Sequence, residues 1–314
     1  MKFPMKAMLL AGAFGLAPAA AHAGPKALAN NLERHVRAIA SREHNTAHPK
    51  ALEQSARYIE STLSALGLTV RRQEFKADGQ PVRNIEVILR GSGDTTPARR
   101  VYIVGAHYDS APGAPGANDN GSGSAALLEL ARLLKPLPLA RGTELRLVFY
   151  VNEEPPYFMG PDMGSMRHAQ AMREQNQPIK GVWILETIGH YSSERNSQRY
   201  PPGLEQRFPD TGNFLAIVST PDSGKLVADT LAAFKAASDF PVQALAAPGS
   251  VGGVTLSDHA SYIRHGFPAL MLTDTAFMRY PHYHTVRDTP DKVDYASVAR
   301  IVAGLAKAIP ALID

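Results

Sequence analysis

The sequence predicts an α/β protein with three layers, α/β/α, built around a central mixed, largely parallel sheet. Two observations indicate this class. Short apolar segments alternate along most of the chain with segments of helical periodicity, as expected when helices cover both faces of a sheet. The chain of 314 residues is also long enough to bury one large core, and no second domain is evident.

The first 23 residues are predicted to be an export signal and no part of the fold. Lys2 and Lys6 supply positive charge, residues 7–16 are mostly apolar, and Ala21-His22-Ala23 is a small-x-small cleavage site. The apolar stretch is shorter than the roughly 20 residues that a membrane anchor needs. We therefore expect an exported chain, periplasmic or extracellular, that begins at Gly24. No later stretch is expected to span a bilayer, so no stable membrane association should follow cleavage.

Residues 24–314 are expected to form a single domain, and their composition limits its chemistry. The sequence contains no cysteine, so disulfides are excluded and any metal must be bound by His, Asp and Glu. The net charge of +4 falls to +2 when Lys2 and Lys6 leave with the signal. Such a weak charge does not suggest a nucleic-acid partner.

The order of the elements follows from their periodicity. Residues 28–40 and 49–66 carry apolar side chains at helical steps, and Gly67 is placed to end the second helix. Two extended segments follow, and then strands alternate with helices, whereas residues 192–213 and 246–254 look irregular. The extended segments are 68–75 and 82–89, the later strands 101–106, 145–151, 181–185, 214–218 and 269–273, and the later helices 124–134, 165–175, 225–237 and 295–309.

Acidic and histidine residues follow four of these strands at the point where each strand ends. In an open α/β sheet ligands bind beyond the carboxyl ends of the strands, so the pattern predicts a cation site there. The residues are His107 and Asp109 after 101–106, Glu153 and Glu154 after 145–151, Glu186 after 181–185, and His284, reached through a loop, after 269–273.

Each candidate also has an ordinary structural interpretation. His107 can bind zinc while Asp109 accepts its other ring N–H, but His-x-Asp also occurs as a purely structural pair. Asp119 lies in a glycine-rich run and could bridge two cations or simply cap the following helix. The adjacent Glu153 and Glu154 diverge, so that one can bind metal while the other handles a proton, unless both are solvated.

Three further candidates have a structural interpretation of the same kind. Glu186 directly follows an apolar strand, which suggests a functional acid or a salt bridge. His284 could be a ligand or a satisfied structural histidine. Asp258 precedes a helix-like segment and could be only its cap.

Taken together, these segments resemble metallopeptidase family 28, the co-catalytic zinc exopeptidases that include bacterial secreted aminopeptidases and glutamate carboxypeptidases. They occur in the family's order and span nearly the whole expected domain. The matching segments are G-A-H-Y-D-S (105–110), G-A-N-D-N-G-S-G (116–123), N-E-E-P-P (152–156), L-E-T-I-G (185–189), S-D-H-A-S-Y-I-R-H-G-F-P-A (257–269) and Y-H-T-V-R-D-T-P-D-K-V-D (283–294).

The resemblance implies two Zn²⁺ ions per chain. Asp119 would bridge them, His107 and Glu186 would complete one metal site, and Glu154 and His284 would complete the other. The sequence departs from the family at Glu186, where many members carry Asp. The additional methylene leaves a hard oxygen ligand but puts the geometry of that site in doubt.

The resemblance also implies peptide hydrolysis through a metal-activated water. Glu153 would be the general base, Asp109 would orient His107, and Tyr283 would donate a hydrogen bond to the tetrahedral intermediate. Asp258 would be a further acid that lies behind the ligands. The expected substrates are peptides.

An aminopeptidase is the preferred subtype, and three different functions remain open beside it. A carboxypeptidase would need a cation for the substrate carboxylate, with Arg279 and Arg287 as candidates. A glutaminyl cyclase-like acyltransferase with one zinc would typically carry Trp where Tyr283 stands. A non-catalytic binding module would lack ligands. An apolar side-chain pocket could be formed by Tyr157, Phe158, Met159, Met278 and Tyr280, or these residues could be ordinary packing.

Overall fold

The computed structural model describes residues 24–91 and 93–313, and the expected export signal lies outside them. Two apolar clusters lie on opposite faces of one sheet. The predicted three-layer α/β/α class is therefore confirmed.

The structure has seven α-helices and eight strands within the described residues. The helices are α1 Pro25–Ile39, α2 Pro49–Ala65, α3 Gly123–Leu134, α4 Gly164–Glu174, α5 Gly224–Ala237, α6 His259–Arg264 and α7 Tyr295–Ile313. The strands are β1 Arg71–Ala77, β2 Gln80–Leu89, β3 Arg100–His107, β4 Thr143–Tyr150, β5 Ile179–Glu186, β6 Leu215–Ser219, β7 Val242–Ala246 and β8 Ala269–Thr273.

The eight strands form one mixed sheet in the order β1-β2-β4-β3-β5-β8-β6-β7. Its centre is parallel, since β4, β3, β5 and β8 all run in the same direction. The hairpin β1-β2 joins β4 antiparallel, and β6 joins β8 antiparallel. The four central strands therefore end at a common edge, as predicted from the order of the segments.

The two faces are covered unequally. Side chains of α1, α2, α3, α5 and α7 form the larger apolar cluster with alternate residues of the strands. The other face carries α4 and α6, with Ala169, Met172 and Tyr262 packed against the remaining strand positions. Strand residues on the two faces alternate, for example Leu147 and Val148 in β4, because successive side chains of a strand point to opposite sides.

Two elements differ from the sequence prediction. Strand β7 was not expected, because it is short, lies at the sheet edge and is only partly buried. Helix α7 continues four residues past the predicted end and contains Pro310. The helix continues because Ile313 is buried, and burying this side chain favours one more helical turn against the core.

Among the described residues, α7 alone is long and apolar enough to span a membrane by length and composition, with a mean hydropathy of 1.6. The expectation that no later stretch meets this criterion was wrong. The helix packs against α1, α3 and α5, and half of it is buried within the protein. Its apolar character is thus accounted for by its place in the core.

Candidate metal centre

The carboxyl ends of the central strands bring the candidate residues to one place. In the register of the sheet His107 lies opposite Tyr150, and Glu186 lies opposite Thr273. Glu153 and Glu154 follow the end of β4, and His284 follows β8 through a loop. The side chains that the sequence scatters over most of the chain therefore share one edge of the sheet.

Asp119 lies between the two histidines. It belongs to a tight turn, Ala117–Ser122, that directly precedes α3, and its own backbone angles are not helical, with φ −108° and ψ 93°. One carboxylate oxygen, Oδ1, is 3.3 Å from Nε2 of His107, and the other, Oδ2, is 2.9 Å from Nε2 of His284. Gly116 starts this turn with a positive φ of 74°, and a Cβ there would lie 2.7 Å from the Asp119 carbonyl oxygen. Glycine is therefore required where the turn closes.

Besides Asp119, each histidine faces one further carboxylate, which the other histidine does not face. Nε2 of His107 is 3.4 Å from Oε2 of Glu186, and Nε2 of His284 is 3.2 Å from Oε2 of Glu154. The five side chains thus form two groups that share Asp119. Ligand atoms of His107, Asp119 and Glu154 all lie within 4.8 Å of one another. The structure thus brings together the five residues that the family resemblance implies as ligands.

The donor set fits divalent cations. His107, Asp119, Glu154 and Glu186 are all buried, and a cluster of buried carboxylates is costly unless a cation compensates it. Nε2 of His107 and Oε1 of Glu154 have no hydrogen-bond partner among the described residues. Buried polar atoms are rarely left unpaired, so both are suited to bind a metal ion. Imidazole nitrogen and carboxylate oxygen are ligands of zinc, and the absence of cysteine in the sequence leaves no thiolate.

The electrostatics of the cluster also favour a bound cation. Burial lowers the pKa of His107, but the carboxylates of Glu153 and Glu186 outweigh it and raise that pKa well above the usual range. Burial and the charge of Asp119 raise the pKa of Glu154 to about 8. Negative charge is thus in excess here, and a cation would relieve it by displacing protons from these groups.

Glu153 is placed differently from the other acids. It is 6% exposed, and its Oε2 lies 3.9 Å from Nε2 of His107 without belonging to either histidine–carboxylate group. Burial, together with the charges of Glu154 and Glu186, raises its pKa well above the usual range. A carboxylate beside a metal cluster with a raised pKa is suited to accepting and returning a proton.

Asp109 makes more contacts than the sequence suggested. Nδ1 of His107 lies 3.5 Å from its carboxylate but only 3.2 Å from its backbone carbonyl oxygen. A proton donated to that carbonyl leaves a lone pair on Nε2 facing Asp119. The carboxylate itself accepts the backbone N–H groups of Glu153 at 3.1 Å and Glu154 at 3.2 Å. Asp109 therefore links the end of β3 to the loop after β4.

Tyr283 lies at the rim of the cluster. Its ring stacks on that of His284 with centroids 3.9 Å apart and an interplanar angle of 16°. Burial and the surrounding carboxylates, Asp119 first among them, raise its pKa well above the usual range. The hydroxyl therefore stays protonated and can donate a hydrogen bond.

Asp258 is fully buried behind the ligands. Its side chain makes no capping hydrogen bond to α6, so the interpretation as a helix cap is not supported. Neither carboxylate oxygen has a hydrogen-bond partner among the described residues. Burial raises its pKa to about 7, against the opposing charge of His107.

Two contacts were missed by the sequence analysis. The hydroxyl of Ser257 donates to Oε2 of Glu186 at 2.6 Å and so holds the carboxylate that departs from the family pattern. The carboxylate of Asp288 accepts the N–H groups of Asn118 at 2.8 Å and Asp119 at 3.1 Å. Both residues lie within the matching segments, so their positions were visible, but their partners were not.

The suggested side-chain pocket was largely wrong. Of its five residues only Met278 lines the cavity beside the cluster. The hydroxyl of Tyr157 donates to Asp78, and the buried Tyr280 donates to Asp288. Aromatic residues near a motif in the sequence need not face the same space, because their direction depends on the local backbone.

The chain matches one protein family over most of its length. The profile of Peptidase family M28 covers residues 84–309. YfbL of Escherichia coli is 38% identical over 300 residues, which is 90% of this chain and 87% of that protein. The probable aminopeptidase YDR415C of Saccharomyces cerevisiae is 24% identical over 270 residues, which is 80% of this chain but only 65% of that protein.

Solved structures share the fold. BSAP, a zinc aminopeptidase from Bacillus subtilis, has a TM-score of 0.69 at 18% identity and covers 92% of this chain and 95% of its own. The glutaminyl cyclase of Porphyromonas gingivalis has a TM-score of 0.66 at 19% identity, with 92% and 98% covered. At such identities the likeness concerns the fold alone, so the assignment depends on the family profile and on the more similar sequences. The chain therefore belongs to peptidase family M28 and is a hydrolase of the metallo-exopeptidase class.

Proposed function

We propose that the chain is an exported aminopeptidase that binds two zinc ions and uses Glu153 as its general base. One observation carries this proposal. The two carboxylate oxygens of Asp119 face different histidines, at 3.3 and 2.9 Å, and each histidine has its own additional carboxylate. A single cation would not need this duplication of ligands.

The proposed ligands are divided between the two ions as the family resemblance implies. His107 and Glu186 would hold one ion, His284 and Glu154 the other, and Asp119 both. When bound, such ions act as Lewis acids that polarise the peptide carbonyl and lower the pKa of a water molecule. The hydrogen bond from Ser257 fixes Glu186 and so supports its longer side chain in the position of a ligand.

The remaining residues would act on the substrate. Glu153 accepts a proton from the attacking water at a carboxylate oxygen and passes it to the leaving amine. The hydroxyl of Tyr283 keeps its proton and donates a hydrogen bond to the carbonyl oxygen as negative charge develops there. Asp109 holds the backbone of Glu153 and Glu154 and keeps His107 in the tautomer that leaves Nε2 free.

The surroundings of the cluster give less support to a carboxypeptidase than to an aminopeptidase. A carboxypeptidase would need a cationic side chain at the site to bind the C-terminal carboxylate of its substrate. Of the two arginines considered for a carboxypeptidase, Arg279 is buried, stacks on Phe214 at 4.6 Å and donates to backbone carbonyl groups. Arg287 lies on an exposed part of its loop.

A glutaminyl cyclase and a non-catalytic binding module have less support. The sequence has one tryptophan, Trp183, and it is buried in β5, where it donates to Thr230, so no tryptophan lies beside His284. A binding module without activity would have no reason to keep Glu153 buried beside a complete set of ligands.

The subtype is tested with purified protein loaded with zinc. Aminoacyl substrates with a free amine should be cleaved, whereas N-acetylated versions of the same substrates and N-blocked peptides with a free C-terminus should not. Metal analysis should give two zinc ions per chain. Cyclisation of N-terminal glutamine with one zinc ion per chain, or cleavage that requires a free C-terminus, would contradict the proposal.

Export is a separate part of the proposal. We expect residues 1–23 to be removed and residues 24–314 to remain as a single catalytic domain. The intact mass of protein recovered from the periplasm or medium should correspond to a chain that starts at Gly24. Protein of full-length mass, retained in the cytoplasm, would exclude it.

A further inference from the structure

A fully buried carboxylate, that of Asp274, lies one residue beyond the end of β8. Its Oδ2 accepts the backbone N–H of His190 at 2.8 Å and a side-chain N–H of Asn118 at 2.9 Å. Its Oδ1 accepts the backbone N–H of Ala276 at 2.9 Å. A buried carboxylate is costly unless donors compensate it, and these three donors meet that requirement. Asp274 thereby joins three segments of the chain.

Each of the three donors belongs to a segment that carries a proposed metal ligand. Asn118 directly precedes Asp119, which faces both histidines of the centre. His190 lies in the loop that follows Glu186 at the end of β5. The third donor lies in the loop that follows β8 and leads to His284. The junction at Asp274 therefore lies directly behind the ligands.

The side chain of Asn118 can face Asp274 in only one orientation. Its Oδ1 accepts the backbone N–H of Gly189 at 2.8 Å, and a backbone N–H can only donate. The NH2 group must therefore face Asp274, where it needs an acceptor. The approach also requires glycine at position 189, since a Cβ there would lie 2.7 Å from Oδ1 of Asn118. A carboxylate at 274 and an amide at 118 thus form a matched pair.

The backbone around Asp274 has an uncommon conformation. Thr187, Thr275 and Ala276 have positive φ angles of 39°, 78° and 48°. Such angles are unfavourable for residues other than glycine and persist only where surrounding contacts impose them. Asp274 supplies two of these contacts, because its carboxylate accepts the N–H of Ala276 and its own N–H donates to the carbonyl oxygen of Thr187 at 2.6 Å. Thr187 directly follows Glu186, so this hydrogen bond fixes the end of the strand that carries that ligand.

We propose that Asp274 is a positioning residue that sets the spacing of the metal ligands. It holds Asn118 and Thr187, the residues next to Asp119 and Glu186, in one rigid junction. The inference rests on the proposed two-zinc site, because the spacing of the ligands matters only if they share cations. Zinc binds carboxylate oxygens at about 2.0–2.2 Å, so a small displacement of one segment against the other weakens the binding of a shared ion.

The variant Asp274→Asn tests the junction. Its NH2 group would face the N–H of His190 or Ala276 or the NH2 of Asn118, and two donors repel each other. Zinc affinity, measured by calorimetric titration of the zinc-free protein, should fall about 10- to 100-fold. At saturating zinc, kcat should fall by about the same factor with little change in KM. Asp222→Asn is the matched control, because Asp222 is exposed and lies beside the start of β8, at the far end of that strand.

A reversed pair restores the hydrogen bond between the two side chains. In Asn118→Asp alone, two carboxylates would face each other. In the double variant Asn118→Asp/Asp274→Asn, the new amide can donate to the new carboxylate, which still accepts the N–H of Gly189. The free-energy loss in zinc binding should therefore be smaller in the double variant than the sum of the two single losses. Additive losses would show that the two residues do not act as a pair and would overturn the inference.

The absorption of cobalt-loaded protein gives a readout that a purely structural role would not change. Co²⁺ accepts the same nitrogen and oxygen ligands as zinc, and its visible spectrum depends on their geometry. At full loading, the spectrum of Asp274→Asn should differ from those of the unaltered protein and of Asp222→Asn. A lower Tm with an unchanged spectrum, zinc affinity and kcat would mean that Asp274 only stabilises the fold, and the inference would be wrong.

The variant Asn118→Ala covers the case in which Asp274→Asn does not fold. It removes one donor to Asp274 and leaves the two backbone donors in place. Zinc affinity should fall several-fold, and an unchanged affinity would reject the junction. The two proposals fail in different ways. An unaltered protein that binds no zinc rejects the two-zinc site, whereas two zinc ions bound equally well by the unaltered protein and by these variants reject only the role of Asp274.

Discussion

Glu153 is the residue on which the proposed chemistry depends most. It is buried beside His107 but belongs to neither histidine–carboxylate group. Its neighbour Glu154 faces His284 instead, at 3.2 Å. Adjacent residues at a strand end diverge, and this divergence separates the role of a ligand from that of a base.

The variant Glu153→Gln tests this separation. It keeps the shape of the side chain but removes the basic oxygen, so kcat should fall by roughly two to four orders of magnitude while zinc content stays unchanged. Activity and metal content are measured on the same preparation. Glu174→Gln, on the exposed surface of α4, is the control. Nearly normal activity in Glu153→Gln would refute the role.

Asp258 is expected to make the stability of the zinc-free protein depend on pH. Its pKa of about 7 in the folded protein lies above the usual value of 3.8, because the carboxyl group is buried. Between about pH 4 and 7 the unfolded chain loses this proton while the folded chain keeps it, so stability falls as pH rises and then levels off.

The variant Asp258→Asn should remove this contribution. In zinc-free protein, the free energy of unfolding of the unaltered chain should fall between pH 5 and 8, relative to the variant, by on the order of a few kcal/mol. Urea unfolding at a series of pH values measures it. A constant difference between the two proteins across this range would contradict the assignment.

At the scale of elements, Asp288 joins two segments that both carry ligands. It lies four residues after His284 and accepts the N–H groups of the turn that carries Asp119. The hydroxyl of Tyr280 donates to the same carboxylate at 2.9 Å. The loop after β8 and the turn before α3 are thereby held together, and so are their two ligands.

The variant Asp288→Ala should loosen the contact between the loop after β8 and the turn before α3. Two buried N–H groups would lose their acceptor, at a cost of roughly 1–3 kcal/mol each, and zinc affinity should fall about 10- to 100-fold. Calorimetric titration of the zinc-free protein measures the affinity. Asp291→Ala is the control, since Asp291 is exposed and its partners among the described residues are the neighbouring Thr289 and Lys292. Equal zinc affinities in the two variants would mean that Asp288 has no part in positioning the ligands.

At the scale of the whole molecule, the bound cations should stabilise the fold. Their ligands come from β3, the turn before α3, the loop after β4, β5 and the loop after β8, so the cations would tie together segments far apart in the chain. Removal of zinc with a chelator should lower the Tm and abolish activity, and added zinc should restore both. At a zinc concentration of 100 Kd the expected stabilisation is about 3 kcal/mol per site. An unchanged Tm after complete removal, shown by metal analysis, would mean that the cluster binds no structural cation.

The sequence by itself determined the class of fold, the family and the set of residues at the carboxyl edge of the sheet. These depend on local periodicity and on motifs, which can be read along the chain. The same information did not predict β7, because this short edge strand has little periodicity. It also did not predict the residues of the side-chain pocket, since most of the suggested residues do not line the cavity.

Only the tertiary structure decided which partners these residues have. Asp109 bonds to the backbone of Glu153, 44 residues away, Ser257 to Glu186, 71 away, and Asp288 to Asp119, 169 away. The cavity beside the cluster likewise depends on how the irregular segments 198–208 and 252–256 pack against the edge of the sheet. Hydrogen bonds and cavities are set by the positions of atoms brought together by folding, and no pattern within one short segment contains them.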